Sequence, residues 1–137
     1  MREILFRGKR VDNGEWVEGY FCKKYFQELP HDRCVIQYKT KYDPKMWKSN
    51  YMAAEVIPES ITEFTGLTDK NGTKIFEGDI IKGFWNTVFV VYWDDCYLQF
   101  RARKSDGHER EIDYYGESKD LEVIGNVHDN PELLTEN

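Results

Sequence analysis

A mainly β fold is what this sequence predicts, and three observations predict it. Short strand-forming runs recur along the chain, separated by Gly, Pro, Asn and Asp clusters about every ten residues. Helix-period apolar stripes of about ten residues or more are hard to find. Aromatic residues make up 15% of the 137 positions, and they suit pleated, half-buried surfaces. Together these point to a sandwich or a small barrel.

The elements follow in order. Ile4-Leu5-Phe6 and Trp16-Val17-Glu18-Gly19-Tyr20-Phe21 flank Asp12-Asn13-Gly14-Glu15. Asn-Gly readily supplies positive φ, so this reads as an N-terminal hairpin. Cys34 to Tyr38 is a further strand, and residues 39–50, lysine-rich and polar, form a variable loop. Tyr51 to Ile57 returns to apolar character and stops at Pro58, which opens no more than one helical turn. Asn71-Gly72 lies between apolar-containing runs as a second turn. Thr87 to Trp93 lacks polar alternation and reads as a strand buried on both faces. After an Asp94-Asp95 turn, Cys96, Leu98 and Phe100 alternate with Tyr97, Gln99 and Arg101, the mark of a half-buried strand. Residues 103–111 read as a loop, 112–115 as a short edge strand and 121–127 as a final strand. Asn130-Pro131 has the form of a helix N-cap and first position, so the tail is one turn docked by Leu133 and Leu134. The organisation is thus a β unit over residues 1–60 and, packed with it, a barrel-sized set of strands over 61–137.

Charge is uneven. Nineteen basic and 25 acidic side chains give a net charge of −6. Residues 1–50 hold 11 basic and 7 acidic side chains, net +4, whereas the remainder holds 8 and 18, net −10. An acidic total argues against coating nucleic acid by bulk electrostatics. The asymmetry instead permits a basic local face and head-to-tail attraction between copies. No apolar run reaches the ~18 residues of a membrane span, and the charged N-terminus lacks the form of a signal peptide. Three cysteines at Cys22, Cys34 and Cys96 form no C-x-x-C pair; free thiols fit a reducing cytoplasm. A Cys22, Cys34 and His31 metal site lacks a fourth ligand, and no cofactor is expected.

Motifs for chemistry are sparse. Phosphate loops, dinucleotide fingerprints, zinc-protease helices and nucleophile elbows are absent from the sequence. Asp94, Asp95, Glu77 and Asp79 read as solvated turn carboxylates in preference to a metal set. Glu109, Glu111 and Asp113, beside Arg110 and Lys104, read as an edge guarded against strand pairing. No enzyme is expected. Aromatic and cationic residues do cluster near the N-terminus: Trp16, Tyr20, Phe21, Tyr25 and Phe26 with Arg7, Lys9, Arg10, Lys23 and Lys24. The favoured reading is core or subunit interface. The second reading is stacking and phosphate contact with nucleic acid through Arg7, Lys9, Arg10, Trp16, Lys23 and Lys24.

The order of three blocks carries a resemblance. Arg2-Glu3-Ile4-Leu5-Phe6-Arg7-Gly8-Lys9 leads to Gly14-Glu15-Trp16-Val17-Glu18-Gly19. The middle block runs from Phe64-Thr65-Gly66-Leu67-Thr68-Asp69-Lys70-Asn71-Gly72 to Ile75-Phe76-Glu77-Gly78-Asp79-Ile80-Ile81. The last runs from Leu121-Glu122-Val123-Ile124-Gly125-Asn126-Val127 to Leu134. This pattern resembles the YopX family of phage and prophage proteins. The resemblance implies a β-rich fold whose later part is similar to an SH3-type barrel, and it implies no catalytic or cofactor site. Gly66, Asn71, Gly72, Gly78, Asp79, Gly125 and Asn126 carry over as structural positions. The expected function is a non-enzymatic, self-assembling phage accessory module that binds a phage or host protein in the bacterial cytoplasm.

Overall fold

The computed structural model describes residues 3–24, 33–40, 51–112 and 120–135. The mainly β expectation holds: two antiparallel sheets carry the chain, and the helical elements described are short 3-10 turns. The chain divides into two compact units, Glu3–Glu63 and Phe64–Asn137.

In the first unit, β1 (Phe6–Lys9), β2 (Trp16–Lys24), β3 (Arg33–Lys39) and β4 (Tyr51–Glu55) form an antiparallel meander. The first residues of β5 (Thr62–Thr68) pair on the far side of β1. The Asn13-Gly14 turn forms as expected. Gly14 takes φ 72°, the Glu15 N–H donates to Asn13 Oδ1 at 2.9 Å, and the Arg10 N–H closes on the Glu15 carbonyl at 2.9 Å. Alternation along the strands sends Val17, Ile36 and Ala54 to one face, where Val56 joins them in the core. Phe6, Phe21, Cys34, Tyr38 and Ile61 pack around it. Gly19 is required here, because a Cβ would strike the Gln37 carbonyl oxygen of the neighbouring strand. The turn at Pro58–Ser60 is the single turn the proline announces. Most of the variable loop, residues 41–50, lies outside the described residues, as do His31, Tyr25 and Phe26.

In the second unit, the end of β5 pairs with β6 (Lys74–Phe76) across the Asn71-Gly72 turn. A five-stranded sheet follows, built from β7 (Asp79–Lys82), β8 (Val88–Asp94), β9 (Gln99–Arg103), β10 (Glu109–Glu111) and β11 (Glu122–Asn126). Its order is β10-β9-β8-β7-β11. Among the described residues no pairing joins β10 to β11, so backbone hydrogen bonds do not close the sheet. Ile75, Ile81, Phe89, Val91, Ala102, Ile112 and Leu121 form its core.

Four expectations are corrected. The strand β8 is not buried on both faces: Phe89 and Val91 are buried, their neighbours are half-buried, and Trp93 is 39% exposed. Cys96, Tyr97 and Leu98 belong to a turn, because the Asp94 carboxylate takes the Cys96 and Tyr97 N–H groups at 2.8 and 3.2 Å and ends the strand early. The edge strand is Glu109–Glu111, not 112–115; Ile112 is buried in the core, and Asp113 to Tyr115 lie outside the described residues. Asn130 makes no side-chain cap for the turn Pro131–Leu134. Its Oδ1 instead accepts the Asn126 N–H at 3.3 Å, and Leu133 and Leu134 are only half-buried.

Candidate interaction surfaces

Strand alternation gives the first sheet a second face, turned away from its core. Arg7 and Lys9 of β1 lie there, next to Trp16 of β2, which pairs with Lys9. The Arg7 guanidinium stands 4.7 Å from the Trp16 ring centre and the Lys9 ammonium 5.7 Å, so two cations bracket one indole. Arg7 Nε also donates to Thr62 Oγ1 at 3.3 Å. Tyr20, 60% exposed, sits across from Gln37 and Ala53 in one row of this face, and Lys39 and Tyr51 pair in another.

The predicted cluster divides between faces. Phe21 and Phe6 turn inward, with ring centres 5.8 Å apart. Arg10 is committed within the unit: it pairs with Asp12 at 2.8 Å and donates to the Tyr38 hydroxyl at 3.3 Å. Those partners raise its pKa further above an already high value, Asp12 first. Lys23 and Lys24 end β2 opposite Cys34 and Arg33; their side chains are outside the described part. Cys22 and Cys34 point to opposite faces, since Cys22 pairs with Val35 and Cys34 with Lys23.

The motif positions work in the backbone of the second unit. Gly66, Gly72 and Gly78 adopt φ of 90°, 77° and 84°, a region costly for any residue with a Cβ. The Gly125 position has no room for a Cβ, which would fall on the Asn130 amide. Asp79 is fully buried and accepts the Phe76 N–H at 2.8 Å, fixing the bend between β6 and β7. Asn126 Oδ1 takes the His128 and Asp129 N–H groups at 3.0 and 2.9 Å. The Asn71 N–H donates to Asp69 Oδ1 at 2.8 Å.

That last bond exposes a residue the sequence reasoning missed. Buried Asp69 also accepts the Thr73 N–H at 2.9 Å on Oδ1 and the Val123 N–H at 2.9 Å on Oδ2. One carboxylate thus ties the β5–β6 turn to β11, and no local pattern announces a partner 54 residues away.

A cleft of about 300 Å³ opens at the end of the second unit's core. Trp93 and Phe100, paired across β8 and β9, meet edge to face at 5.0 Å; Leu67, Leu98 and Ile112 complete its apolar lining. Thr65, Gln99 and Glu111 supply polar atoms. Trp93 Nε1 is held by Asp95 Oδ1 at 3.0 Å. Leu98, 72% exposed, stands in the left-handed region at φ 54°.

The turn carboxylates do not converge, and two are not solvated as the sequence suggests: Asp79 is 1% exposed and the Asp94 side chain 11%. Asp94 caps its turn and lies 3.6 Å from Arg101 Nε, Asp95 holds Trp93, and Asp79 serves Phe76. Among the described residues no group of three His, Cys, Asp or Glu could hold a metal. Nor is any helix among them long and apolar enough to cross a membrane. Glu109 and Glu111 do flank Arg110 on the edge strand, with Glu109 in an ion pair to Arg103 at 3.0 Å.

Comparison with known proteins adds two findings. The family model described as YopX protein matches residues 5–135. The crystal structure of protein EF1440 from Enterococcus faecalis is similar at 23% identity, with 98% of this chain and 99% of that chain covered and a TM-score of 0.56. At that identity the likeness bears on the fold. No curated protein matches the chain.

Proposed function

The chain belongs to the YopX family, and on that premise we propose that it is a non-enzymatic phage or prophage accessory protein. It works in the bacterial cytoplasm by assembling with itself and binding a phage or host protein. The observation that carries this reading is the end of the second core, where, among the described residues, Trp93, Leu98 and Phe100 border an open cleft. Clustered apolar side chains of this kind mark interaction sites on soluble proteins. The uneven charge, +4 over residues 1–50 and −10 beyond, favours association between copies. Strand order supports reading the second unit as SH3-type: β7 to β10 run as a meander, and β11 returns to pair with β7. Light scattering after gel filtration at micromolar concentration tests the assembly. A multiple of the chain mass supports it, and a monomer throughout refutes it.

The bracketed Trp16 supports a second reading. Arg7 and Lys9, with exposed Tyr20 and Tyr51 on the same face, supply cations and aromatic rings suited to single-stranded nucleic acid, although Glu18 stands opposite Arg7 among them. That reading expects binding that weakens with salt and is lost in Arg7→Glu with Lys9→Glu. Binding equal in wild type and variant disposes of it.

A further inference from the structure

The turn between β7 and β8 presents Trp85 to solvent at 97% exposure, the most open large apolar side chain described. Trp85 and the next residue, Asn86, both hold left-handed backbone, φ 61° and 57°, while the Gly83 N–H donates to the Thr87 carbonyl at 2.8 Å. Tryptophan, with tyrosine and arginine, is enriched among the residues that anchor the centres of protein interfaces. Among its described residues the same unit carries a socket, the cleft lined by Leu67, Trp93, Leu98, Phe100 and Ile112 with the polar Thr65, Gln99 and Glu111. An apolar cavity of roughly 150 Å³ accepts a benzene ring. This cleft is open and about half polar; at about 300 Å³ it has the volume of an indole, and Gln99 and Glu111 offer acceptors for the indole N–H.

Trp85 cannot fill the cleft of its own chain. It precedes β8, Val88–Asp94, whereas Trp93 and Leu98 stand at the other end of that strand. At ~3.3 Å per residue the two sites are about 20 Å apart. The charges nearby are complementary: Lys82 ends the strand leading to Trp85, and Glu111 lines the cleft.

We infer that Trp85 of one copy inserts into the Trp93–Leu98–Phe100 cleft of a second copy of this chain. The inference rests on the self-assembly proposed above and names its contact. Because anchor and socket are different patches, the contact is head-to-tail and builds a closed ring or an open filament.

The test uses two full-length variants, each at an exposed turn position. Trp85→Ala removes the anchor and leaves the socket. Leu98→Asp charges the lip of the socket and leaves the anchor, and Asp tolerates the left-handed backbone there. Sedimentation equilibrium of wild type, of each variant and of their equimolar mixture gives the masses, and circular dichroism checks folding. The expected result is an assembled wild type, two folded monomers, and a one-to-one pair in the mixture, since one socket and one anchor remain. A Trp85→Ala protein that keeps the wild-type assembled mass overturns the contact but leaves self-assembly standing. Two folded monomers that do not pair when mixed also overturn it. A monomeric wild type removes the assembly reading itself, and the contact with it.

Discussion

The two units of this protein spend their aromatic residues differently. The first keeps Phe6 and Phe21 on its core face and places Trp16, Tyr20 and Tyr51 on the opposite face, where Arg7 and Lys9 bracket the indole. The second runs its core-facing row Phe89, Val91, Trp93 out to the end of β8, so the core grades into an open cleft. A sheet with two finished faces presents a polar platform. The end of the other core presents, among the described residues, a socket of mixed apolar and polar lining. The difference teaches that strand alternation alone sets the first surface, whereas the second depends on where a strand stops.

Four substitutions and a titration sharpen that contrast. The largest effect is expected for Gly19→Ala, which drives a Cβ into the Gln37 carbonyl and separates β2 from β3. It costs about 3–4 kcal/mol in chemical denaturation. Gly72→Ala, a positive-φ turn position with open space around it, costs only about 1 kcal/mol. Equal losses at the two glycines contradict the packing described. Next, Asp69→Ala strands the Asn71, Thr73 and Val123 N–H groups and costs about 3 kcal/mol. Hydrogen exchange reads it as faster exchange at Val123, with β2 and β3 of the first unit unchanged.

Acid separates the units more gently. His108, through its backbone N–H first and then its side chain, pulls the Asp106 carboxyl from 3.8 to about 2. Burial works to raise the Asp94 pKa, but the Tyr97 and Cys96 N–H groups and the Tyr92 hydroxyl outweigh it, and the value falls. A depressed carboxyl stabilises the fold above its unfolded pKa and loses that stabilisation as pH drops through the folded value. The β8–β9 and β9–β10 turns of the second unit therefore loosen as pH falls from about 4 towards 2, which amide exchange across that range can follow. Sharper protection of those turns at pH 2 than at pH 5 runs against the account. The smallest effect is expected at Trp85→Gly. Relative to Trp85→Ala, which lacks the anchor equally, it relieves the left-handed backbone and gains about 0.5 kcal/mol, net of glycine entropy. A thermal melt of that variant compared with Trp85→Ala isolates the backbone contribution.

Local chemistry made part of this legible in sequence. Asn13-Gly14 and Asn71-Gly72 announce their turns through positive φ, and Pro58 announces one helical turn. The end of β8 is less legible, because Cys96, Leu98 and Phe100 alternate as a strand would. The Asp94 side chain overrides that pattern by taking the next N–H groups itself. Trp93 sits in an unbroken apolar run, and only its position beyond the last core layer exposes it. Asp69 is opaque for a different reason: its decisive partner, Val123, is distant in sequence. Trp85 carries no local mark, since neither composition nor periodicity encodes a left-handed tryptophan.

Hydroxyl-radical footprinting of the wild-type protein across a concentration series tests the contrast most directly. Trp85 and Leu98 should lose reactivity together as concentration rises, while Tyr20 keeps its reactivity. Constant reactivity at Trp85, or protection confined to Tyr20, contradicts the assignment of assembly to the second unit.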